Sequence, residues 1–399
     1  MRHRFGRVLV FAVTAALLFP AAAAADSDPH LQVRDPELAG YTTMGGATPL
    51  ATDTTIPHWH GQFAKDGVTY GYNMVGNEDP RSPSAGATVV PVDIIPLRFA
   101  FEANNGFALD GTNEVGLTLA SPIFQPTDFS STPHSFGGAG PLSSGNVGVQ
   151  YADAVMRSQF NKTGTGYHLM LGTPNVLPTQ SFSVPTPKGT AFINRNGIIF
   201  GTVDTVWLLT RIQQMVGQLS LDSTHLAIFL TDNVIVIDRY GWYLGFHSAD
   251  RAAVGNGAQP VHTYIYATYL QAGLFSEFVE NDKDVHTLSH EVAEWAADPF
   301  VDNTIAPTYW NDGFGAGCLN LLEVGDPALF LGFDVAGNPD PRPYTTGTWH
   351  LQDEVFLPWF SGEWPNVTAQ SRQSGTGRRY TFMGDLDPLP IFRAPAPQC

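Results

Sequence analysis

The sequence predicts an α+β protein, and three observations carry that expectation. Gly and Pro are plentiful (40 and 30) while charged residues are sparse (14%), which suits a loop-rich chain with much β structure better than a helical bundle. Apolar residues make up 43% of the chain and aromatic residues 12%, enough for a sizeable core. Strand patterns dominate the first half, whereas longer helical and buried-strand patterns mix in the second. The expected layout is a β-rich N-terminal region over 26–190 and a mixed α/β region over 191–399, behind a segment 1–25 of different character.

That first segment reads as a secretory signal peptide. "MRHRFGR" carries three arginines and no acid, and "VLVFAVTAALLFPAAAAA" follows as an apolar run ending in small residues. Cleavage is expected after Ala25, leaving Asp26 first. No other segment is long and apolar enough to span a bilayer. The mature chain is therefore expected to be exported, to the periplasm or beyond the cell, with no membrane contact. Loss of three arginines takes the formal charge from −17 to −20. Such a surface repels phosphate backbones, which argues against a nucleic-acid partner, and its acids favour a hard cation. Nothing in the pattern bears on oligomeric state.

Residues 26 to about 55 are polar and without period, a lead-in or short pro-segment. "GVTYGYNMVG" alternates as a strand does. "ATVVPVDIIPLRFAFEA" is β-rich but interrupted by Pro91 and Pro96, which predicts an edge or a bulge. "SFGGAGPLSSGNVG" is a loop. In "VQYADAVMRSQFN", Val149, Ala152, Met156 and Phe160 share a helical side, and Asp153 suits the first turn. "YHLMLG" and "SFSVPTP" are strands. In "TVDTVWLLTRIQQMVGQLSL", Val206, Leu209, Ile212, Val216 and Leu219 line one helix face. "HLAIFLTD" and "NVIVID" are buried-type strands, with "GWYLGFHSAD" and "VHTYIYATYL" as two more. A helix is expected from about Asp282 to Ala297. The remainder is loop with short strands such as "GTWHLQDEVFLPWF" and "RYTFMG".

The helix in "DVHTLSHEVAEWAADPF" holds the chemistry. At about 100° per residue, Val285, Leu288, Val292, Trp295 and Ala296 form one side. His286, His290, Glu291, Glu294 and Asp298 form the other. His290 and Glu294, four apart, point the same way and can share one ion. Glu291 lies a step round, able to reach a water on that ion without being a ligand, as the glutamate of H-E-x-x-H does. A strand pattern precedes the helix, as in zincins. Zinc accepts carboxylate oxygen beside imidazole nitrogen, and the extra carboxylate makes Mn²⁺ or Ca²⁺ more competitive. "LLEVGDP" offers Glu323 and Asp326 to complete the set. His247 in "GFHSAD" is a second-rank candidate and His286 a third. The bland alternative is a helix with an ordinary polar face.

"LSHEVAEWAADPF", followed by "EVGDP", resembles the plant Exordium, or phosphate-induced, protein family. That family has a histidine-glutamate-x-x-glutamate helix ending in an Asn/Asp-Pro step, then a Glu-x-x-Asp element. "GFHS" is similar to its Gly-Phe-His element, and "HLQDEVFLPWFSG" sits where the family has a strand with glutamine and tryptophan. The resemblance spans roughly 200–365. A broader set of secreted microbial proteins shares the layout and is closer to this chain. The resemblance implies an extracellular location and a zincin-like metal helix. It does not imply proteolysis, because the plant family is described through growth and cell-wall responses.

Other readings are thinner. There is no G-x-S-x-G elbow for a serine hydrolase. The 37 acids offer many pairs to a glycosidase, but sequence spacing does not report distance. His58 and His60 share a strand face and could bind metal, though such pairs more often serve as polar packing. Asn161 and Asn366 head N-x-T sequons. Cys318 and Cys399, the only cysteines, can form one disulfide outside the cytosol or remain thiols, and they exclude a cysteine-built zinc site. The leading expectation is a metal-dependent hydrolase, a zinc metallopeptidase acting on a peptide or protein, with Glu291 as catalytic base. The alternative is a non-catalytic extracellular binding or signalling protein with a structural or vestigial ion.

Overall fold

The computed structural model describes residues 46–129, 146–238, 241–251, 259–275, 283–311, 316–329, 331–362 and 381–383, and of 308–319 the backbone alone. The expected signal peptide at 1–25, most of the lead-in, the Asn366 sequon and the pairing of Cys318 with Cys399 lie outside the described residues. No helix among the described residues is long and apolar enough to cross a membrane.

The architecture is α+β, with mixed sheets. Strands β1 (His58–Lys65) and β2 (Val68–Val75) form an antiparallel hairpin turned at Asp66 and Gly67, both at positive φ, as a tight hairpin turn requires. Then come β3 (Ala87–Val90), β4 (Val92–Phe101), β5 (Phe107–Asp110), α1 (Val115–Ala120), α2 (Tyr151–Gln159), β6 (His168–Leu171), β7 (Asn175–Val176), β8 (Gln180–Val184), β9 (Gly189–Ile193) and β10 (Ile199–Asp204). The second half runs α3 (Thr205–Gln218), β11 (Leu226–Asp232), β12 (Val234–Ile237), β13 (Trp242–Tyr243), β14 (Gly245–Arg251), β15 (Val261–Tyr269) and α4 (His286–Ala297). It closes with β16 (Thr304–Asn311), β17 (Ala316–Leu321), β18 (Gly332–Ala336), β19 (Thr348–Gln352) and α5 (Leu357–Ser361).

The central sheet has the order β14-β15-β11-β4-β5, with β7 and β8 also on β4. β11 is parallel to both β15 and β4, and β14 is antiparallel to β15. Since β4 pairs directly with β11, this sheet runs through the boundary expected near residue 190. Nor does β4 lie on an edge, the first of the two settings that Pro96 had suggested. Pro96 sits where β4 exchanges partners. Residues 92–96 pair with β11 and 98–101 with β5, while 93–94 pair with β7 and 97–101 with β8. A residue without an N–H is tolerated at that break in the ladder.

Both faces of the sheet are covered. Phe229, Tyr264 and Tyr266 pack in one cluster with Trp207, Leu208, Ile212 and Met215 of α3, whose start Asp204 caps by accepting from Trp207 N (2.8 Å). Their neighbours Ile228, Leu230, Ile265 and Ala267 point the other way, into a second cluster with Leu288, Val292 and Trp295 of α4. Each fully buried Leu, Ile or Phe among them contributes roughly 1.5–3 kcal/mol. Trp295 Nε1 also donates to Thr263 Oγ1 on β15 (3.0 Å). The helix begins at His286, later than the expected Asp282, since Asp284 has φ 44°, outside helical space. All twelve residues of α4 are buried, so its polar side meets protein rather than water.

Candidate metal centre

Three segments meet the polar side of α4. The first is β14, where period-two alternation sends Phe246 to the α3 side and Gly245, His247 and Ala249 to the α4 side. Gly245 permits the approach. A Cβ there would stand 2.7 Å from both Glu291 Oε1 and Thr287 Cγ2. The second is the turn after β17, carrying Glu323, Gly325 and Asp326. The third is β19, docked on α4 and on the turn that precedes it. Gln352 N donates to Ser289 Oγ (2.9 Å), and Asp284 accepts from His350 N (3.0 Å) and faces His350 Nδ1 (2.5 Å).

These contacts place two imidazoles and three carboxylates around one point of the core. Glu294 Oε2 is 3.2 Å from His290 Nε2 and 3.4 Å from His247 Nδ1. Glu291 Oε2 is 3.6 Å from His247 Nδ1, and its Oε1 is 4.0 Å from His290 Nε2. Glu323 Oε2 is 3.9 Å from His247 Nε2. Two donor groups result, each with its atoms within 4.8 Å of one another: His290, Glu291 and Glu294; and His247, Glu294 and Glu323. All five residues are at most 1% exposed.

The surrounding bonds orient the donors. Gln352 Nε2 donates to Gly325 O (2.7 Å), which leaves its Oε1 to accept from His290 Nδ1 (2.9 Å). His290 therefore carries a proton on Nδ1 and turns Nε2 toward Glu294. Glu294 Oε1 accepts from Gly325 N (2.9 Å) and Asp326 N (3.3 Å), which leaves Oε2 facing both rings. A carboxylate oxygen 3.2 Å from Nε2 is satisfied by a proton shared between them or by a metal ion that both ligate. Burial pushes the Glu294 carboxyl up, but the charge on His290 and the bonds from both rings reverse this and hold it well below the usual carboxylate range. Ligands fixed by amide and backbone partners are the ordinary support of a metal centre, so the residues present fit a divalent ion.

The expected residues divide as follows. His290, Glu291, Glu294 and Glu323 converge. Asp326 belongs to neither donor group; its backbone N–H supports Glu294 instead. His247, ranked second from sequence, lies at the centre of the cluster. His286 is buried outside both groups, and burial lowers its pKa to about 3. Neither His58 nor His60 enters a donor group; the His58 ring packs edge-on against Phe300 (4.9 Å). Asp153 does sit in the first turn of α2 and ties that helix to β6, accepting from Leu169 N (3.0 Å) and facing His168 Nδ1 (2.7 Å). Sequence reasoning missed Gln352 and the two glycines as supports. Their one signal is a glutamine on a strand-like run, which no local rule links to a helix more than fifty residues away.

Behind the cluster, burial pushes the Asp298 carboxyl up to about 8, and it accepts from Asp302 N (3.1 Å) and Asn303 N (3.2 Å) where α4 ends. Burial likewise raises the Glu354 carboxyl well above its ordinary value; Tyr151 Oη lies 3.0 Å from it. Compared with known proteins, the chain matches no protein family, no curated protein and no solved structure.

Proposed function

We propose that this chain is an exported metal-dependent hydrolase of zincin-like type that acts on peptide bonds. One observation carries the reading: Glu291 lies within 4.0 Å of both imidazoles that flank Glu294, so an acid–base group adjoins a ready set of metal donors. The resemblance to Exordium-like proteins and the signal-type N-terminus support export. His290 and His247 each face Glu294, imidazole and carboxylate donors of the kind catalytic zinc uses, and Glu323 is at hand beside His247. Zinc suits this mixed set best, with Mn²⁺ next and Ca²⁺ least, because imidazole favours the softer ions.

When bound, the ion supplies a Lewis acid and makes a nearby water acidic at neutral pH. The residues do the rest. Gln352 and Gly325 fix the ring of His290 and the carboxylate of Glu294. Glu291 takes a proton from the attacking water and passes it to the leaving amine. The closed surroundings exclude bulk water, which strengthens each of these charge interactions. Replacing Glu291 with Gln is expected to leave zinc bound while abolishing cleavage of an unfolded protein substrate; full turnover by that variant would remove the assigned base.

A second reading is favoured by burial. Every donor is at most 1% exposed, as suits a closed structural ion in an extracellular binding protein. In that case chelation lowers the melting temperature, and no peptide cleavage depends on the chain at any zinc level.

A further inference from the structure

We infer that the centre takes two divalent cations rather than one, sharing Glu294. The inference rests on the metal-centre reading above and extends it. It starts from the number and placement of the donors. A single ion within reach of one donor group leaves the imidazole of the other unused, because only Glu294 belongs to both. They fall into two groups, each built around its own imidazole: His290 with Glu291 and Glu294, and His247 with Glu294 and Glu323.

The carboxylate in common is oriented for sharing. Oε1 of Glu294 is occupied by Gly325 N and Asp326 N, so Oε2 alone faces the rings, at 3.2 Å from His290 Nε2 and 3.4 Å from His247 Nδ1. Glu291 repeats the theme, since its Oε1 is the oxygen near His290 and its Oε2 the oxygen near His247. A carboxylate held between two imidazole-capped positions is the arrangement that sets two ions about 4 Å apart. Charge points the same way. Glu291, Glu294 and Glu323, each at most 1% exposed, gather three carboxylates in one water-excluded cluster, more negative charge than one divalent ion offsets. In this arrangement His247 and Glu323 serve the second ion, and His290 with Glu294 serves the first, beside Glu291.

The test uses Mn²⁺ alone as probe on the full mature chain, stripped with chelator and reloaded. Native mass spectrometry counts the ions, and electron paramagnetic resonance reports whether their spins couple. The expected result is two Mn²⁺ per chain with an exchange-coupled spectrum. His247→Ala and Glu323→Gln are each expected to lower the count to one and leave the spectrum of an isolated ion. One Mn²⁺ per chain at saturation overturns the two-ion inference and leaves the one-ion centre standing. Two ions without coupling also overturn it, because the second is then elsewhere. No binding of Mn²⁺ or Zn²⁺ removes both readings. The parent protein decides the question even if a variant fails to fold.

Discussion

Gln352→Met isolates the support of the centre from the centre itself. The side chain is 0% exposed and makes two hydrogen bonds, to His290 Nδ1 (2.9 Å) and Gly325 O (2.7 Å). Met fills a similar volume and makes neither, while the backbone bond from residue 352 to Ser289 Oγ persists. Each stranded buried partner costs about 1–3 kcal/mol, so stability without metal should fall by roughly 2–6 kcal/mol. The freed His290 ring should also bind its ion more weakly. Loss of such a support typically costs about 10–100-fold in metal affinity, or about 1.4–2.8 kcal/mol. Urea unfolding with chelator present measures the first quantity, and competition with a chromophoric chelator measures the second. A stability loss of the expected size with parental zinc affinity would refute the reasoning, since the bond to His290 would then serve only packing.

Other perturbations follow from the same geometry. Gly325 has φ −84°, which any residue adopts, yet an added Cβ would stand 2.4 Å from His290 Nδ1; Gly325→Ala should therefore weaken metal binding by an order of magnitude or more in a chelator competition. Arg342 donates to both oxygens of Glu114 (2.9 Å each), which is 3% exposed, so Arg342→Ala should cost about 3 kcal/mol in urea unfolding by stranding a buried carboxylate. Asp232 should give a pH signature away from the candidate metal centre. Burial, with Glu114 nearby, pushes its carboxyl up to about 7, so the folded chain holds this proton more tightly than the unfolded one. Its contribution is full below about pH 4 and is lost as pH climbs through 7, a change of at most about 4 kcal/mol; Asp232→Asn should flatten that slope and stabilise the protein at pH 8.

Much of the fold was legible where the signal is local. Helix α3 falls inside the expected segment because its apolar residues recur at helical spacing and Asp204 stands ready as a cap. β11, β14 and β15 occupy the expected runs of apolar and aromatic residues. Pro96 misled because a proline's effect depends on whether its missing N–H faces a partner, and it falls where β4 changes partners. The polar side of α4 was legible as a side, but its burial was not. A wheel shows which residues share a direction and not what lies there.

The sequence by itself determined that His290, Glu291 and Glu294 share one helix side, since 3.6 residues per turn leaves them no other arrangement once the helix forms. It also determined the apolar stripe that binds α4 to the sheet. Only the tertiary structure decided what that side meets. His247, Glu323 and Gln352 reach it from β14, the turn after β17, and β19, which are separated by long stretches of chain. Their convergence depends on how β14 and β15 join the parallel pair β11 and β4, and on where β19 docks. Such contacts are specified by the packing of the whole core, so no spacing rule along the chain could have ranked His247 above Asp326.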